Sequence, residues 1–117
     1  MSLSLDIRKV KTFFKFWLGV HNLPIDMGRR NKIPREQRTC DMCGLAVGDE
    51  HHFIFHCSAL TSLRTRYSRL FSSSSYSLRR FIWQEDIVSV VNFIYEGFQV
   101  RSQLLSASKL GLSLSLS

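Results

Sequence analysis

The sequence predicts a mainly α-helical small domain organised around a single zinc knuckle, with an irregular basic loop and frayed termini. Three observations carry that reading. Apolar residues recur at three- and four-residue spacing in three separate stretches, the period of a helix with one buried side. The only three cysteines fall between positions 40 and 57, with histidines among them. The chain has 117 residues, is 44% hydrophobic and carries nine phenylalanines, which is enough for one packed domain spanning 1–117 and not for two. An odd, clustered set of cysteines does not make a disulfide framework and points instead to metal ligation in a reducing compartment.

Residues 7–20 read as the first helix, with Val10, Phe13, Phe14, Trp17 and Leu18 as its core stripe and Lys11 and Lys15 along the edge. The stretch from His21 to Gly28 reads as irregular chain, with Pro24 ending any helix and Gly28 suited to a turn of positive φ. From Arg29 to Arg38 the chain is dense in cations: Arg29, Arg30, Lys32, Arg35 and Arg38 are opposed only by Glu36. Pro34 suits the start of a short helical turn there. Residues 49–56 form a short helix with Asp49 as its N-cap and Glu50 in the first turn. Residues 58–71 make a second flanking helix, with Leu60, Leu63, Tyr67, Leu70 and Phe71 on one face and Arg66 and Arg69 on the other. A third spans 85–105, with Ile87, Val90, Val91, Ile94 and Phe98 inward. The Leu-Ser alternation of 106–117 reads as a disordered tail.

The chemistry sits in Cys40-x2-Cys43-x8-His52-x4-Cys57. Zinc takes four soft or borderline ligands in a tetrahedron, and two cysteines on a tight turn fill two corners, with Gly44 letting the backbone reverse. His52 offers a third. Cys57 lies five residues further on, about 140° round a continuous α-helix. The helix must therefore end or unwind near His56 if both side chains are to reach one ion. Two alternatives stand beside this. His52 and His56, four apart on one helical face, mimic the paired histidines of a Cys2His2 finger, and the three cysteines can also be plain buried thiols. The spacing favours Cys40, Cys43, His52 and Cys57 around Zn²⁺, in residues 38–58. Four protein ligands leave no open position for water or substrate, and neither a zinc-hydrolase nor a deaminase motif nor a phosphate-binding glycine loop is present, so no enzymatic activity is expected.

Three further runs carry a resemblance: Leu23-Pro-Ile-Asp-Met-Gly-Arg29, Ile33-Pro-Arg-Glu-Gln-Arg-Thr-Cys40-Asp-Met-Cys43, and Val47-Gly-Asp-Glu-His-His-Phe-Ile-Phe-His-Cys57. With Phe13 to His21 before them and Arg64-x-Arg-Tyr67 after, they resemble the C-terminal segment of LINE-type (non-LTR) retrotransposon reverse transcriptases, which carries a Cys-Cys-His-Cys knuckle after the polymerase domain. The resemblance covers roughly residues 11–71 and implies the same four ligands. It also implies binding of element RNA or target DNA, without polymerase or endonuclease activity in this chain.

Sixteen Lys and Arg against nine Asp and Glu give a net charge of +7. That surplus suits a polyanionic partner. Three zinc-bound thiolates would lower it only to +6. The leading expectation is weakly sequence-specific binding of RNA or single-stranded DNA, with Arg29, Arg30, Lys32, Arg35 and Arg38 on phosphates and Phe53 as a candidate stacking ring. Five such contacts give a log–log salt slope of about −3.5 on single strands. The alternatives are a zinc-stabilised module that docks a protein, such as a reverse transcriptase domain, through Phe81, Ile82 and Trp83, or a retrotransposon remnant with no present function. Neither a secretory signal nor a membrane span is read from the sequence, so an intracellular location, nuclear or cytoplasmic, is expected with no membrane partner. Chelation is expected to melt residues 38–58 and leave the flanking helices loosely associated.

Overall fold

The computed structural model describes residues 6–72 and 76–109, and it is mainly helical, with no β-strand among the described residues. Helix α1 (Ile7–Leu18) is capped by Asp6, whose carboxylate accepts the Arg8 amide at 2.8 Å. It stops two residues short of the predicted end because Gly19 adopts the left-handed conformation at φ 78°. Its buried residues are Phe13 and Phe16. The predicted stripe is therefore rotated: Phe14, Trp17 and Leu18 are exposed, and Phe16, absent from that stripe, is in the core.

Pro24 begins a helix instead of ending one. Helix α2 (Pro24–Arg30) has proline in its first turn, where the missing N–H is not needed and the fixed φ is already helical. Asp26 accepts the Asn22 amide at 2.9 Å and anchors the entry. Gly28 lies inside α2 with no positive φ; its need is steric, since a Cβ there would lie 2.3 Å from Arg38 Cγ. A single 3₁₀ turn (Arg35–Gln37) follows Pro34, where a short turn was expected.

The predicted helix 58–71 is broken into a 3₁₀ turn (Ser58–Leu60), helix α3 (Thr61–Arg66) and another 3₁₀ turn (Ser68–Phe71). Hydroxyls explain the breaks. Thr61 and Thr65 donate to the carbonyls of Ser58 and Thr61, at 2.9 and 3.1 Å, competing with regular helix. The face assignment holds, with Leu60, Leu63 and Leu70 buried and Arg66 and Arg69 outward. Helix α4 (Leu78–Ile82), capped by Ser77, was not predicted; it buries Phe81 and Ile82 completely, so of the three residues expected to dock a partner only Trp83 is exposed. Helix α5 (Ile87–Lys109) runs longer than 85–105 and takes in the first residues of the predicted tail. The rest of that tail, 110–117, lies outside the described residues, as do residues 1–5.

Helix α5 lies along α1 in the same sense. Lys9 reaches Asn92 at 2.9 Å, Phe16 meets Phe98 at 6.1 Å between ring centroids, and Arg101 bonds the Asn22 carbonyl at 2.9 Å. Between them the core holds two aromatic groups. Phe16, Phe53 and Phe98 form one, with centroids as close as 4.7 Å. Phe55, Phe71, Phe81 and Phe93 form the other, at 5.0 to 5.8 Å. Each such ring contributes about 1.5–3 kcal/mol by burial. Phe53 and Phe55, two residues apart, enter different groups, so the turn that carries them is threaded through the core. No helix among the described residues is long and apolar enough to cross a membrane.

Candidate metal centre

The site is built on two short pieces of backbone. The first is a knuckle closed by an antiparallel bridge between Thr39 and Val47, with the Cys40 amide on the Ala46 carbonyl at 2.8 Å. Gly44 makes the expected reversal at φ 70°, where its amide reaches the Cys40 carbonyl at 3.0 Å. The Met42 amide points at Cys40 Sγ, 3.4 Å away, which orients that sulfur. The α2 helix is tied to this knuckle by the Ile25 amide on the Gly48 carbonyl at 3.1 Å.

The second piece is the helical turn that starts at Glu50. Asp49 caps it as predicted, accepting the His52 amide at 2.8 Å, while its other oxygen takes Arg35 at 2.8 Å. From His52 to His56 the helix widens to a π-turn, and the Cys57 amide donates to the His52 carbonyl at 2.8 Å. A π-turn bonds residue i to i+5, so it swings the fifth residue back toward the face it left. Cys57 itself is extended, at φ −64° and ψ 121°, and ends the helix. The unwinding demanded by the ligand spacing is thus present, as a widened turn followed by a stop.

These two pieces bring Cys40, Cys43, His52 and Cys57 together, with one donor atom from each lying within 4.8 Å of all the others. The cluster can hold a metal ion. Cys40 Sγ and Cys57 Sγ are 3.7 Å apart, and Cys43 Sγ is 3.3 Å from His52 Nε2. A tetrahedral zinc site with Zn–S of about 2.3 Å and Zn–N of about 2.0–2.1 Å has S···S edges of about 3.8 Å and S···N edges of about 3.6 Å. The Cys40–Cys57 and Cys43–His52 separations therefore stand close to two such edges already. Cys40, His52 and Cys57 are buried and Cys43 is partly so. His56, the alternative ligand, is exposed and stacks on Tyr76, its ring 5.7 Å away and nearly parallel at 10°.

Burial sets the titration of the ligands. It pushes the Cys57 thiol up to about 12, further than the Ala59 amide can lower it, with the neighbouring Cys40 adding to the rise. Cys43 is also raised by burial, but the Leu45 amide and the thiols of Cys40 and Cys57 outweigh that, and its net shift is downward. His52 is lowered by burial, with His56, Arg64 and His51 adding to that against Asp49, which keeps the imidazole neutral as a ligand must be.

Sequence reasoning missed two supports. Arg64 places one Nη on the Cys57 carbonyl and the other 3.4 Å from the Ile54 carbonyl, closing the end of the π-turn beside the sulfurs. It entered the resemblance as part of Arg64-x-Arg-Tyr67, but nothing in that spacing ties it to Cys57. The other support is His21. Its Nδ1 accepts the Leu23 amide at 3.1 Å, so Nε2 carries the proton and donates to Glu50 at 2.6 Å. Glu50 therefore faces α1's end and not the ligands; burial raises its pKa, but the His21 bond, its own backbone amide and the charges of His21 and Arg29 together outweigh this, and the net shift is downward.

Of the five predicted phosphate contacts, four are engaged within the chain. Arg29 holds Asp26 at 3.0 Å and the Gly19 carbonyl at 3.0 Å, and Arg30 holds Asn22 and Asp26. Arg35 pairs with Asp49, and Arg38 reaches the Ile33 and Ile25 carbonyls at 2.8 and 3.3 Å. Lys32 alone is exposed without a partner among the described residues. Phe53 is buried, which removes it as a stacking ring. Comparison with protein-family models, curated proteins and solved structures finds no match for this chain.

Proposed function

We propose that the chain is a zinc-stapled, non-catalytic module that binds RNA or single-stranded DNA with little sequence specificity, as its resemblance to LINE-type reverse transcriptase tails implies. The observation that carries the zinc assignment is the donor set: three sulfurs and one imidazole nitrogen within 4.8 Å of one another. That soft sulfur-rich chemistry suits zinc over harder cations. With all four corners supplied by protein, the ion is structural and leaves no position at which a reaction starts. Three thiolate ligands also suit a reducing compartment, so the module works in the nucleus or cytoplasm.

Nucleic-acid binding is supported by the cation surplus and by its distribution. Lys11, Lys15, Lys32, Arg38, Arg64, Arg79 and Arg80 have no carboxylate partner among the described residues, against only Glu36 and Glu85 left over on the acidic side. Native mass spectrometry of the zinc-loaded protein with a short oligouridine reads both claims together. One zinc per chain and a one-to-one RNA complex that weakens with salt are expected. A chain that takes no zinc, or an RNA affinity independent of salt, refutes the corresponding half.

A further inference from the structure

Helix α1 carries two apolar sides, and only one is used. Phe13 and Phe16 face the core, while Ile7, Phe14 and Leu18 line an outer stripe at i, i+7 and i+11, with Lys11 set between them at i+4. Trp17 borders this stripe. Trp83, just past α4, meets Trp17 edge-on at 5.3 Å and Phe13 at 6.0 Å, so the aromatic surface is continuous across two helices. Trp83 is 52% exposed, Phe14 48% and Trp17 37%. Each such ring presents up to ~150–250 Å², so a face of several hundred Å² lies open, at the size that marks a binding surface.

The cations around this face have no internal partners. Lys11 and Lys15 stand on α1, and Arg79 and Arg80 precede Trp83 by four and three residues, on the same side of α4. The side chains of all four are without hydrogen bond or ion pair among the described residues, unlike those of Arg29, Arg30, Arg35 and Arg38. Exposed rings interleaved with free cations fit a single-stranded polynucleotide, whose bases stack while its phosphates pair. A second copy of this chain would bring the same four cations against themselves. We infer that the polynucleotide lies across this face of α1 and α4, stacking on Phe14, Trp17 and Trp83 with phosphates on Lys11, Lys15, Arg79 and Arg80, and not along residues 29–38. This inference rests on the nucleic-acid reading above.

The chain's two tryptophans, Trp17 and Trp83, are both in the face, so their fluorescence reports on it directly. The test titrates zinc-loaded full-length protein with an oligouridine of about 12 nucleotides, following tryptophan emission and the anisotropy of a labelled RNA together. Saturable quenching is expected, with Trp83→Ala weakening binding at least about fivefold, the low end of one stacked base. The Arg79→Glu/Arg80→Glu pair, which breaks no internal contact, should weaken it as much and shallow the log–log salt slope by about 1.4; Lys32→Glu should do neither. Lys11→Glu/Lys15→Glu repeats the test on the other helix, with circular dichroism confirming the fold of each variant. Anisotropy binding without any tryptophan response, lost in Lys32→Glu, overturns this inference and leaves the nucleic-acid reading standing. No anisotropy change from folded protein removes both. A tryptophan response to phosphatidylserine vesicles or to an acidic amphipathic peptide, without one to RNA, overturns it and assigns the face to a lipid or protein partner.

Discussion

Zinc affinity should rise about a thousandfold for each pH unit between 6.5 and 7.5. The reason lies in the ligand set. A metal-bound cysteine is a thiolate, so each of Cys40, Cys43 and Cys57 gives up a proton on binding. In the metal-free fold burial holds Cys57 as a thiol up to about pH 12, and unfolded cysteines also stay protonated at neutrality, so the thiols release the same number of protons from either reference state. His52, held low by burial, adds less to that count than an ordinary imidazole would. At 1.36 kcal/mol per proton per pH unit, three protons change the apparent binding free energy by about 4 kcal/mol per unit. The slope bends toward two where Cys43, lowered by its hydrogen bonds, loses its proton unaided. Competition against a chromophoric chelator at several pH values measures this. Cys57→Ser should lower the limiting slope from three to two. A limiting slope of two in the native sequence would mean that one thiol does not ligate, as in the His52–His56 alternative, and a slope near zero would remove thiolate ligation altogether.

Four other outcomes follow from the geometry. Chelation should loosen more than residues 38–58: because Phe53 and Phe55 sit in both aromatic groups, amide exchange should accelerate in α1, α4 and α5 as well, and protection of α5 unchanged by chelation would show the core to be independent of the metal. Gly28→Ala should destabilise by about 1 kcal/mol, since displacing the Arg38 guanidinium from two carbonyls costs about 1.5–3 kcal/mol and alanine returns about 1 in the helix; in an Arg38→Ala background the same change should cost nothing, and additivity in denaturant melts would sink the explanation. Arg64→Gln should weaken zinc about 10–100-fold while leaving the pH slope at three, because Arg64 orients the Cys57 backbone and is not a ligand; a changed slope would contradict that. Tyr67, pushed up to about 12 chiefly by burial and then by its 2.7 Å bond to Glu96, contributes stability that is complete below pH 10 and lost as pH rises through 12; Tyr67→Phe should flatten that alkaline loss in urea melts, and identical profiles would refute it.

The ligand spacing was the most legible part of the chain, because two cysteines three apart and a His–Cys pair five apart impose geometry on any backbone that joins them. The demand that the helix unwind near His56 followed from angles alone. That it unwinds as a π-turn did not, because the turn's shape is shared with Phe53 and Phe55, whose separate destinations lie on elements far away in sequence. The rotated stripe of α1 has a similar cause. Apolar residues cover more than half of that helix, and periodicity gives no way to choose which part of a wide apolar arc faces inward. The internal contacts of the basic run were not legible either. A one-dimensional reading counts charge but not partners, and Arg35 finds its carboxylate fourteen residues away, while Arg38 finds backbone. Helix α4 was missed because five residues are too few to show a period.

The charge of the centre ties these observations together. With zinc bound as proposed, three thiolates and one Zn²⁺ would carry a net −1 in a mostly buried place, and a buried charge needs a partner. Arg64 supplies a cation beside Cys57 without a carboxylate of its own, and it reaches there by bonding the Ile54 carbonyl and the Cys57 carbonyl, which also accepts the Leu60 amide at 3.1 Å. The widened turn thus does three things at once. It swings Cys57 toward the other three donors, sends Phe53 and Phe55 into different halves of the core, and presents the carbonyls that Arg64 holds. Because those consequences share one turn, ligand loss, core loosening and displacement of Arg64 should occur as one transition, and the exposed outer side of α1 is free to carry a separate role.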